Sequence, residues 1–278
     1  MFYTKLQVQC NTEFSEILMA ELAEIGFDTF LENEDGFEAY VEEARYDAEA
    51  LEIIKGKYAD LTPIGFSFEN IEKKNWNEEW EKSYEPIIVD DRCLIRADFH
   101  KIEKKYPYEI VITPKMSFGT GHHQTTYLMI KNQMDIDHKY RSVMDAGCGT
   151  AILSIMAEKL GAKRVTAFDI DEWSVINGNE NLQINNCRVI EIQQGKISEV
   201  SINGKFDIIL ANINKNVLLD EIKTYSTYLN PLGLLLLSGF YTHDIDNLLQ
   251  EASKYNFKEL RRDEKEKWAC LLLQLIGE

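Results

Sequence analysis

The chain has 278 residues, of which 45% are hydrophobic and 28% are charged, and this length predicts two folded domains. The composition excludes a disordered chain, and no apolar run approaches the roughly 20 residues of a membrane-spanning helix. The net charge of −17 argues against a nucleic-acid-binding surface as the main feature.

The N-terminal residues show no basic segment followed by an apolar one, so we predict no signal peptide and a cytoplasmic protein. The five cysteines are odd in number, and none lies at metal-ligand spacing from another. They predict reduced thiols, and the five scattered histidines predict no zinc site either.

The negative charge is concentrated near the N-terminus. Residues 1–60 hold 15 acidic and 4 basic side chains, so they carry −11 of the −17. An acidic surface can simply keep a protein in solution, or it can steer a basic partner towards a docking face. Both interpretations stay open at this point.

The first 69 residues show a β-α-β-β-α-β pattern. An amphipathic helix opens at Asn11 and closes at Gly26, and a second lies near 47–58. This order predicts a small ferredoxin-like α+β domain over residues 1–69. The predicted strands lie at 3–10, 27–31, 37–41 and 64–68.

Residues 70–94 are predicted to be a linker, helical over 70–85. Trp76, Trp80 and Tyr84 recur at a four-residue spacing and therefore share one face of that helix. This aromatic face either packs against a domain or contacts a substrate.

Residues 95–278 predict a Rossmann-like α/β domain. Near-continuous apolar runs alternate with helical stretches, which is typical of a mostly parallel sheet between two helix layers. Two further segments, 257–261 and 268–276, flank a charged turn at 262–266 and predict a C-terminal antiparallel hairpin. The apolar runs are 143–145, 165–169, 189–193, 206–211 and 232–238.

The most informative local pattern is a strand, a glycine turn and a helix start after Val143. Open parallel sheets bind ligands beyond the carboxyl ends of their strands, and Gly147 and Gly149 let the backbone approach a ligand closely. A dinucleotide fingerprint requires glycine where Ile152 stands, which disfavours a nicotinamide cofactor. Asp145 before this Gly-x-Gly resembles the first motif of class I S-adenosylmethionine-dependent methyltransferases.

The next strand ends in Asp169, 22 residues after Gly147, where a carboxylate can accept both hydroxyls of a ribose. Asp171 fits a helix cap better. Lys196 follows the third strand, where many class I methyltransferases have an acidic residue beside the adenine amino group. Adenine recognition therefore stays open between backbone groups and Ile197.

The fourth strand ends in Asn212. Methyltransferases that act on amides and amines often have Asn-Pro-Pro-Tyr at this point, and this chain keeps only the asparagine. Its carbonyl oxygen can orient the lone pair of an amine near the point of methyl transfer. The alternative is an ordinary buried asparagine at a strand end.

A specific marker precedes the first Rossmann strand: Phe118-Gly119-Thr120-Gly121-His122-His123-Gln124-Thr125-Thr126. Together with the glycine turn, Asp169 and Ala211-Asn212-Ile213, it resembles the ribosomal protein L11 methyltransferase family, which has Phe-Gly-Thr-Gly-x-His-x-Thr-Thr there. Leu237-Ser238-Gly239 and the linker tryptophans agree with that family as well. The resemblance runs from about residue 75 to the C-terminus, and the N-terminal domain agrees in length and apparent fold.

The resemblance implies an enzyme that transfers methyl groups from S-adenosylmethionine to lysine side chains and the N-terminal amino group of a basic large-subunit ribosomal protein. We also expect a monomer. The small domain would capture that substrate, with no direct contact to nucleic acid or membrane. The implied cofactor-binding residues are Thr126, Gly147, Asp169 and Asn212, with Asp145, Gly149, Phe118 and Gly119 in the same motifs.

Three points stay open in this interpretation. His122 and His123 either accept a proton or only form hydrogen bonds, and no strong base is required because the amine proton can leave to water. The chain could instead be a class I methyltransferase for another protein or a small molecule. It could also be a catalytically silent ribosome-associated binding module, although the intact Gly147, Asp169 and Asn212 disfavour this.

Overall fold

The chain forms two compact units, residues 1–83 and 84–278. The boundary between them falls inside the predicted linker, while the division of the chain at residues 69 and 94 stays a prediction. Trp76, Trp80 and Phe118 lie outside the described residues. The computed structural model describes residues 2–11, 14–33, 36–42, 45–59, 61–72, 84–113, 119 and 121–277.

The first unit confirms the predicted β-α-β-β-α-β order. Its four strands form one antiparallel sheet in the order β2-β3-β1-β4. Alternating residues such as Leu6 and Val8 point inward and pack with Leu18 and Leu22 of the first helix. The elements are β1 (Phe2–Gln9), α1 (Ser15–Glu24), β2 (Thr29–Asn33), β3 (Gly36–Glu42), α2 (Ala48–Tyr58) and β4 (Gly65–Glu72).

Two details of the first unit differ from prediction. Strand β4 continues to Glu72 because it pairs along β1 as far as Phe2, so the helix predicted over 70–85 is wrong for residues 70–72. The amphipathic spacing of the first helix predicts Ile17 on its buried face, but Ile17 is 47% exposed. The core takes Leu18 and Leu22, which lie one turn apart, and Ile17 projects to the side of that pair.

The second unit begins with a small three-stranded sheet, in the order β5-β6-β7, that the sequence did not predict. Its strands are β5 (Ile87–Val89), β6 (Cys93–Arg96) and β7 (Tyr108–Val111). Each has only three or four residues, which is too short for an alternating pattern to stand out.

The large sheet of the second unit has the order β10-β9-β8-β11-β12-β14-β13. Its first five strands are parallel, and β14 pairs antiparallel with both of its neighbours. This confirms the predicted mostly parallel sheet with a C-terminal hairpin. The strands are β8 (Ser142–Ala146), β9 (Arg164–Asp169), β10 (Ile190–Gln194), β11 (Phe206–Asn212), β12 (Leu229–Tyr241), β13 (Phe257–Lys265) and β14 (Trp268–Leu275).

Helices cover both faces of this sheet. Val143 and Met144 are neighbours on β8 and point to opposite faces, yet both are fully buried, each in a different apolar cluster. Among the described residues, no helix is long and apolar enough to cross a membrane. The helices are α3 (Gln124–Gln133), α4 (Ile152–Lys159), α5 (Glu172–Ile184), α6 (Lys215–Tyr228) and α7 (Ile245–Ser253).

The predicted charged turn at 262–266 is wrong for most of its length. Strand β13 runs to Lys265, and only Glu266 and Lys267 form the turn, with φ of 51° and 75°. A two-residue turn with positive φ at both positions matches the twist of antiparallel strands. Within the strand, the Asp263 carboxylate accepts hydrogen bonds from Lys131 and Asn132 of α3, which explains a charged residue there.

Candidate active site

A cavity of about 770 Å³ lies at the carboxyl ends of the parallel strands. This volume is within the range of roughly 300–1,000 Å³ found for small-molecule and cofactor sites. The cavity lies where the strand order reverses between β8 and β11, the usual ligand position in open parallel sheets. Four of the predicted site residues line it: Gly147, Gly149, Asp169 and Asn212.

The glycine loop after β8 forms one wall of the cavity. The N–H groups of Gly147 and Cys148 donate to the carbonyl of Phe168, at 2.9 and 3.0 Å, which turns the chain back towards β9. Gly147 has φ +69°, and a Cβ added there would lie 2.4 Å from Cγ2 of Ile213, another cavity residue. A glycine is therefore required here both by the backbone conformation and by the packing.

Asp169 ends β9 with its carboxylate held by two backbone donors. Oδ2 accepts a hydrogen bond from the N–H of Gly149 at 2.8 Å, and Oδ1 accepts one from the N–H of Asp171 at 3.0 Å. Each oxygen keeps a further lone pair, so the fixed carboxylate can still accept two neighbouring hydroxyls. Asp171 caps helix α5 as predicted, because its Oδ2 accepts from the N–H of Ser174 at 2.8 Å.

Asp145 lies behind the glycine loop and does not line the cavity. It is fully buried, its Oδ2 accepts from the Ser154 hydroxyl at 2.6 Å, and its Oδ1 has no partner among the described residues. Burial, together with a smaller effect of the charge of Asp169, raises the pKa of Asp145 to about 7. The hydrogen bonds from Ser154 act in the opposite direction and lower it. Its direct contact with a cofactor stays a prediction.

Asn212 ends β11 with only 9% of its surface exposed. Its Nδ2 donates to the hydroxyl of Thr126 at 3.4 Å, while its Oδ1 has no partner among the described residues. Thr126 is fully buried in the first turn of α3 and does not line the cavity. The Thr126 hydroxyl therefore orients the Asn212 amide, and the acceptor end of that amide is buried without a partner among the described residues.

Gly119 also lies outside the cavity lining, and its carbonyl accepts a hydrogen bond from the Thr150 hydroxyl at 2.6 Å. Phe118, its neighbour in the predicted motif, lies outside the described residues. A direct cofactor contact of either residue stays a prediction.

The two histidines have different surroundings. His123 lines the cavity and caps α3, with its Nδ1 accepting from the N–H of Thr125 at 3.3 Å. Burial lowers the pKa of His123, and the neutral ring that accepts at Nδ1 carries its proton on Nε2. The one acceptor nitrogen of the ring is thus occupied by the hydrogen bond from Thr125, which disfavours a role for His123 as a base. His122 is exposed, and its Nε2 donates to the carbonyl of Glu85 at 3.0 Å.

Sequence reasoning missed an aromatic wall formed by His123, Tyr241 and Trp268. The rings of Tyr241 and Trp268 stack with centroids 4.1 Å apart, and His123 meets Trp268 edge-on at 4.6 Å. His123 and Trp268 both line the cavity. Tyr241 and Trp268 pair across β12 and β14, so only the strand order of the sheet could have revealed this wall.

Polar groups on the remaining cavity wall leave adenine recognition open. Lys196 lines the cavity, and its backbone N–H donates a hydrogen bond to the carboxylate of Glu199 at 3.0 Å. Asp220 and Glu221 of α6 line the cavity as well. No group of three or more histidine, cysteine or acidic side chains among the described residues could hold a metal ion.

Comparison with known proteins decides the family. The sequence matches the PrmA family of ribosomal protein L11 methyltransferases over residues 3–275. The chain belongs to this family. Its PrmA relatives include the ribosomal protein L11 methyltransferase of Bacteroides fragilis, which is 42% identical over 264 residues, or 94% of each chain. The relative from Chlorobaculum parvum is 33% identical over 98% of this chain and 96% of its own.

A solved structure agrees with the PrmA assignment. The ribosomal protein L11 methylase from Lactobacillus delbrueckii subsp. bulgaricus is 30% identical, with a TM-score of 0.64, and covers 70% of this chain and 100% of its own. A methyltransferase from Pyrococcus furiosus, 18% identical with a TM-score of 0.53, shares the fold. The predicted resemblance and the class I methyltransferase fold are thus confirmed.

Proposed function

We propose that this PrmA family member transfers methyl groups from S-adenosylmethionine to amino groups of ribosomal protein L11, namely lysine side chains and the N-terminal amine. The orientation of Asn212 supports this proposal most directly. Its Oδ1 is buried without a partner among the described residues, and Asn212 lines the same cavity as Asp169 and Trp268. A carbonyl oxygen in this position suits a substrate that donates an N–H group.

The cavity fits the proposed cofactor. The Asp169 carboxylate, fixed by two backbone donors, retains lone pairs for the hydroxyls of a ribose. Gly147 and Gly149 leave the adjacent wall free of side chains. When bound, the cofactor supplies a methyl group that its sulfonium already activates, so the protein has only to orient the amine and exclude water.

The proposed amine site lies between Asn212 and the aromatic wall. Asn212 Oδ1 accepts an N–H of the neutral amine and so directs the lone pair towards the methyl donor. A free lysine has a pKa of about 10.4 and arrives protonated, and its proton leaves to water. Apolar surroundings lower that pKa, while Asp220 and Glu221, which also line the cavity, raise it. Trp268 lines the cavity, where an aromatic ring attracts an ammonium group and its methyl substituents.

The first unit suits capture of a basic substrate protein. Residues 1–60 carry 15 acidic and 4 basic side chains, and Lys5 is paired with Glu38 at 2.6 Å. We assign this surface to docking of ribosomal protein L11, because opposite charges steer association. The exposed carboxylates include Asp28, Glu32, Glu49, Glu52 and Glu69.

A mass spectrum of ribosomal protein L11 after incubation with the enzyme and labelled cofactor tests the proposal. We expect methyl-sized mass increments on lysines and on the N-terminal amine, and their loss with Asn212→Ala. A protein that binds the cofactor in calorimetry but leaves ribosomal protein L11 unmodified acts on another substrate. A protein that binds no cofactor is a silent binding module.

A further inference from the structure

Thr150, immediately after the cofactor glycine turn, forms hydrogen bonds in two directions. It is fully buried and does not line the cavity. Its hydroxyl donates to the carbonyl of Gly119 at 2.6 Å, and its own carbonyl accepts from Nδ2 of Asn181 at 3.0 Å. Its neighbour Gly149 donates to the carboxylate of Asp169, so Thr150 joins the ribose-binding side of the cavity to Gly119.

Asn181 extends this connection from the last turn of helix α5. Its side chain is fully buried, and its Oδ1 accepts from the N–H of Thr113 at 2.9 Å. One side chain therefore holds Thr113 and Thr150 together. Asn177 and Asn185 lie one turn away on either side, and they bond the backbones of Thr113 and Val111 respectively.

The contact between Thr150 and Gly119 leaves no room for a larger residue. Gly119 has φ +101°, and a Cβ added there would lie 2.7 Å from the Thr150 hydroxyl. The glycine of the Phe-Gly-Thr-Gly motif therefore serves this close approach, rather than contributing surface to the cavity.

The chain from Gly119 leads directly into the amine end of the cavity. Four residues later His123 caps α3 and lines the cavity, and Thr126 in the first turn of that helix orients Asn212. The hydrogen bond between Thr150 and Gly119 thus joins the glycine loop to a point four residues before the cap of α3. A shift of the start of α3 would move the Thr126 hydroxyl and so change the orientation of the Asn212 amide.

We propose that Thr150 and Asn181 are positioning residues for methyl transfer, which fasten Gly119 to the cofactor loop so that Asn212 and the methyl donor are held in line. This inference rests on the proposed function. Neither residue needs to touch a substrate or the cofactor, since alignment of reacting groups is itself a large part of catalysis.

The test compares Thr150→Val, which removes the hydroxyl at nearly constant shape, with Thr150→Ser, which keeps it. Thr166→Val is the matched control, because Thr166 is buried on β9 and does not line the cavity. We expect Thr150→Val to lower kcat on ribosomal protein L11 at least tenfold while cofactor affinity stays within about threefold, because Asn181 still holds the loop carbonyl. Thr150→Ser restores kcat, and Thr166→Val leaves it unchanged.

Hydrogen exchange provides a second measurement that needs no substrate. Amides from 121 to 127 exchange faster in Thr150→Val than in the wild type, and Thr150→Ser restores their protection. This arm remains informative if wild-type protein fails to methylate ribosomal protein L11, which would contradict the proposed function alone. Unchanged kcat and unchanged exchange in Thr150→Val overturn the inference. Equal losses of cofactor affinity and kcat, with a collapse of Tm, also overturn it, since they indicate a general structural role.

Asn181→Asp tests the other end of the connection. It keeps the acceptor for Thr113 but loses the donor to the Thr150 carbonyl, so we expect both cofactor affinity and kcat to fall without a collapse of Tm. A folded Asn181→Asp variant with wild-type values for both removes Asn181 from the proposal. If this variant does not fold, the Thr150 series decides the inference.

Discussion

A 2.8 Å hydrogen bond joins the N–H of Gly149 to the carboxylate of Asp169, so the glycine loop and the ribose-binding acid fix each other's positions. Asp169→Ala removes this bond together with two proposed charge-assisted bonds to the ribose, each worth about 1.5–3 kcal/mol. We expect cofactor affinity, measured by calorimetry, to fall at least tenfold in a folded protein.

Asp47→Ala is the control for this change. It removes the α2 cap and lowers stability by about 1 kcal/mol, but Asp47 does not line the cavity. Its cofactor affinity should stay within a few-fold of wild type. Unchanged affinity in a folded Asp169→Ala variant contradicts the ribose assignment.

Gly147→Ala tests the glycine loop against Gly204→Ala. Both glycines have similar positive φ, +69° and +77°, so both substitutions carry a similar backbone cost of about 1–2 kcal/mol. Only at Gly147 does the new Cβ meet a neighbour, Cγ2 of Ile213 at 2.4 Å, inside the cavity. Calorimetry should show cofactor binding lost in Gly147→Ala and retained in Gly204→Ala. Equal affinities would show that the loop does not contact the ligand.

Trp268→Leu tests the aromatic wall. A cation–π contact contributes about 0.5–2 kcal/mol, so we expect KM for ribosomal protein L11 to rise by between about twofold and thirtyfold, with cofactor affinity unchanged. Trp268→Phe keeps an aromatic ring, so its KM for ribosomal protein L11 should stay close to that of the wild type. Trp173→Leu, at an aromatic position on α5 that is 73% exposed, is the matched control. A loss in Trp173→Leu as large as that in Trp268→Leu would argue against the wall.

Asp145→Asn should change how folding stability depends on pH. The pKa of Asp145 is raised to about 7 from an ordinary value of 3.8, so the folded state keeps this proton while the unfolded chain releases it. In the wild type, this group therefore lowers the free energy of unfolding as pH rises from 4 to 7. The loss reaches roughly 4 kcal/mol and stays constant above pH 8. Urea unfolding should show that the free energy of unfolding of Asp145→Asn rises relative to that of the wild type between pH 4 and pH 7.

Asp207→Asn should behave in the opposite way. Burial raises the pKa of Asp207, but hydrogen bonds from Ser142 and Asn230 outweigh it and lower the pKa overall. This group stabilises the fold above its unfolded pKa, and the stabilisation is lost as pH falls through the folded pKa. Parallel pH profiles for the two variants would contradict the assignment of Asp145.

Salt dependence tests the docking role of the first unit. Raising ionic strength to physiological levels shortens the Debye length to about 8 Å, so we expect KM for ribosomal protein L11 to rise while cofactor affinity hardly changes. Glu32→Lys with Glu52→Lys should raise KM further at low salt. The same reversal at exposed Glu191 and Glu264 of the second unit should not. A salt-independent KM would mean that the acidic surface serves solubility alone.

The sequence predicted the features that depend on neighbours along the chain. The glycine turn, Asp169 at a strand end and the five parallel strands follow from local periodicity and glycine placement. The aromatic wall does not, because Trp268 meets Tyr241 only through the pairing of β12 with β14. Gly119 and Thr150 are likewise 31 residues apart, and their bond depends on how the chain packs. Strand β13 ran further than predicted because Asp263 finds its partners on α3.

The asparagines of α5 also protect an edge of the molecule. Strand β7 lies at the border of the small sheet, where an unpaired backbone can recruit a strand from another chain. The side chain of Asn185 bonds both the N–H and the carbonyl of Val111, and Asn181 bonds the N–H of Thr113 just beyond the strand. The side chains at the end of this helix thus occupy the Val111 end of the border, which limits edge-to-edge pairing with another chain there.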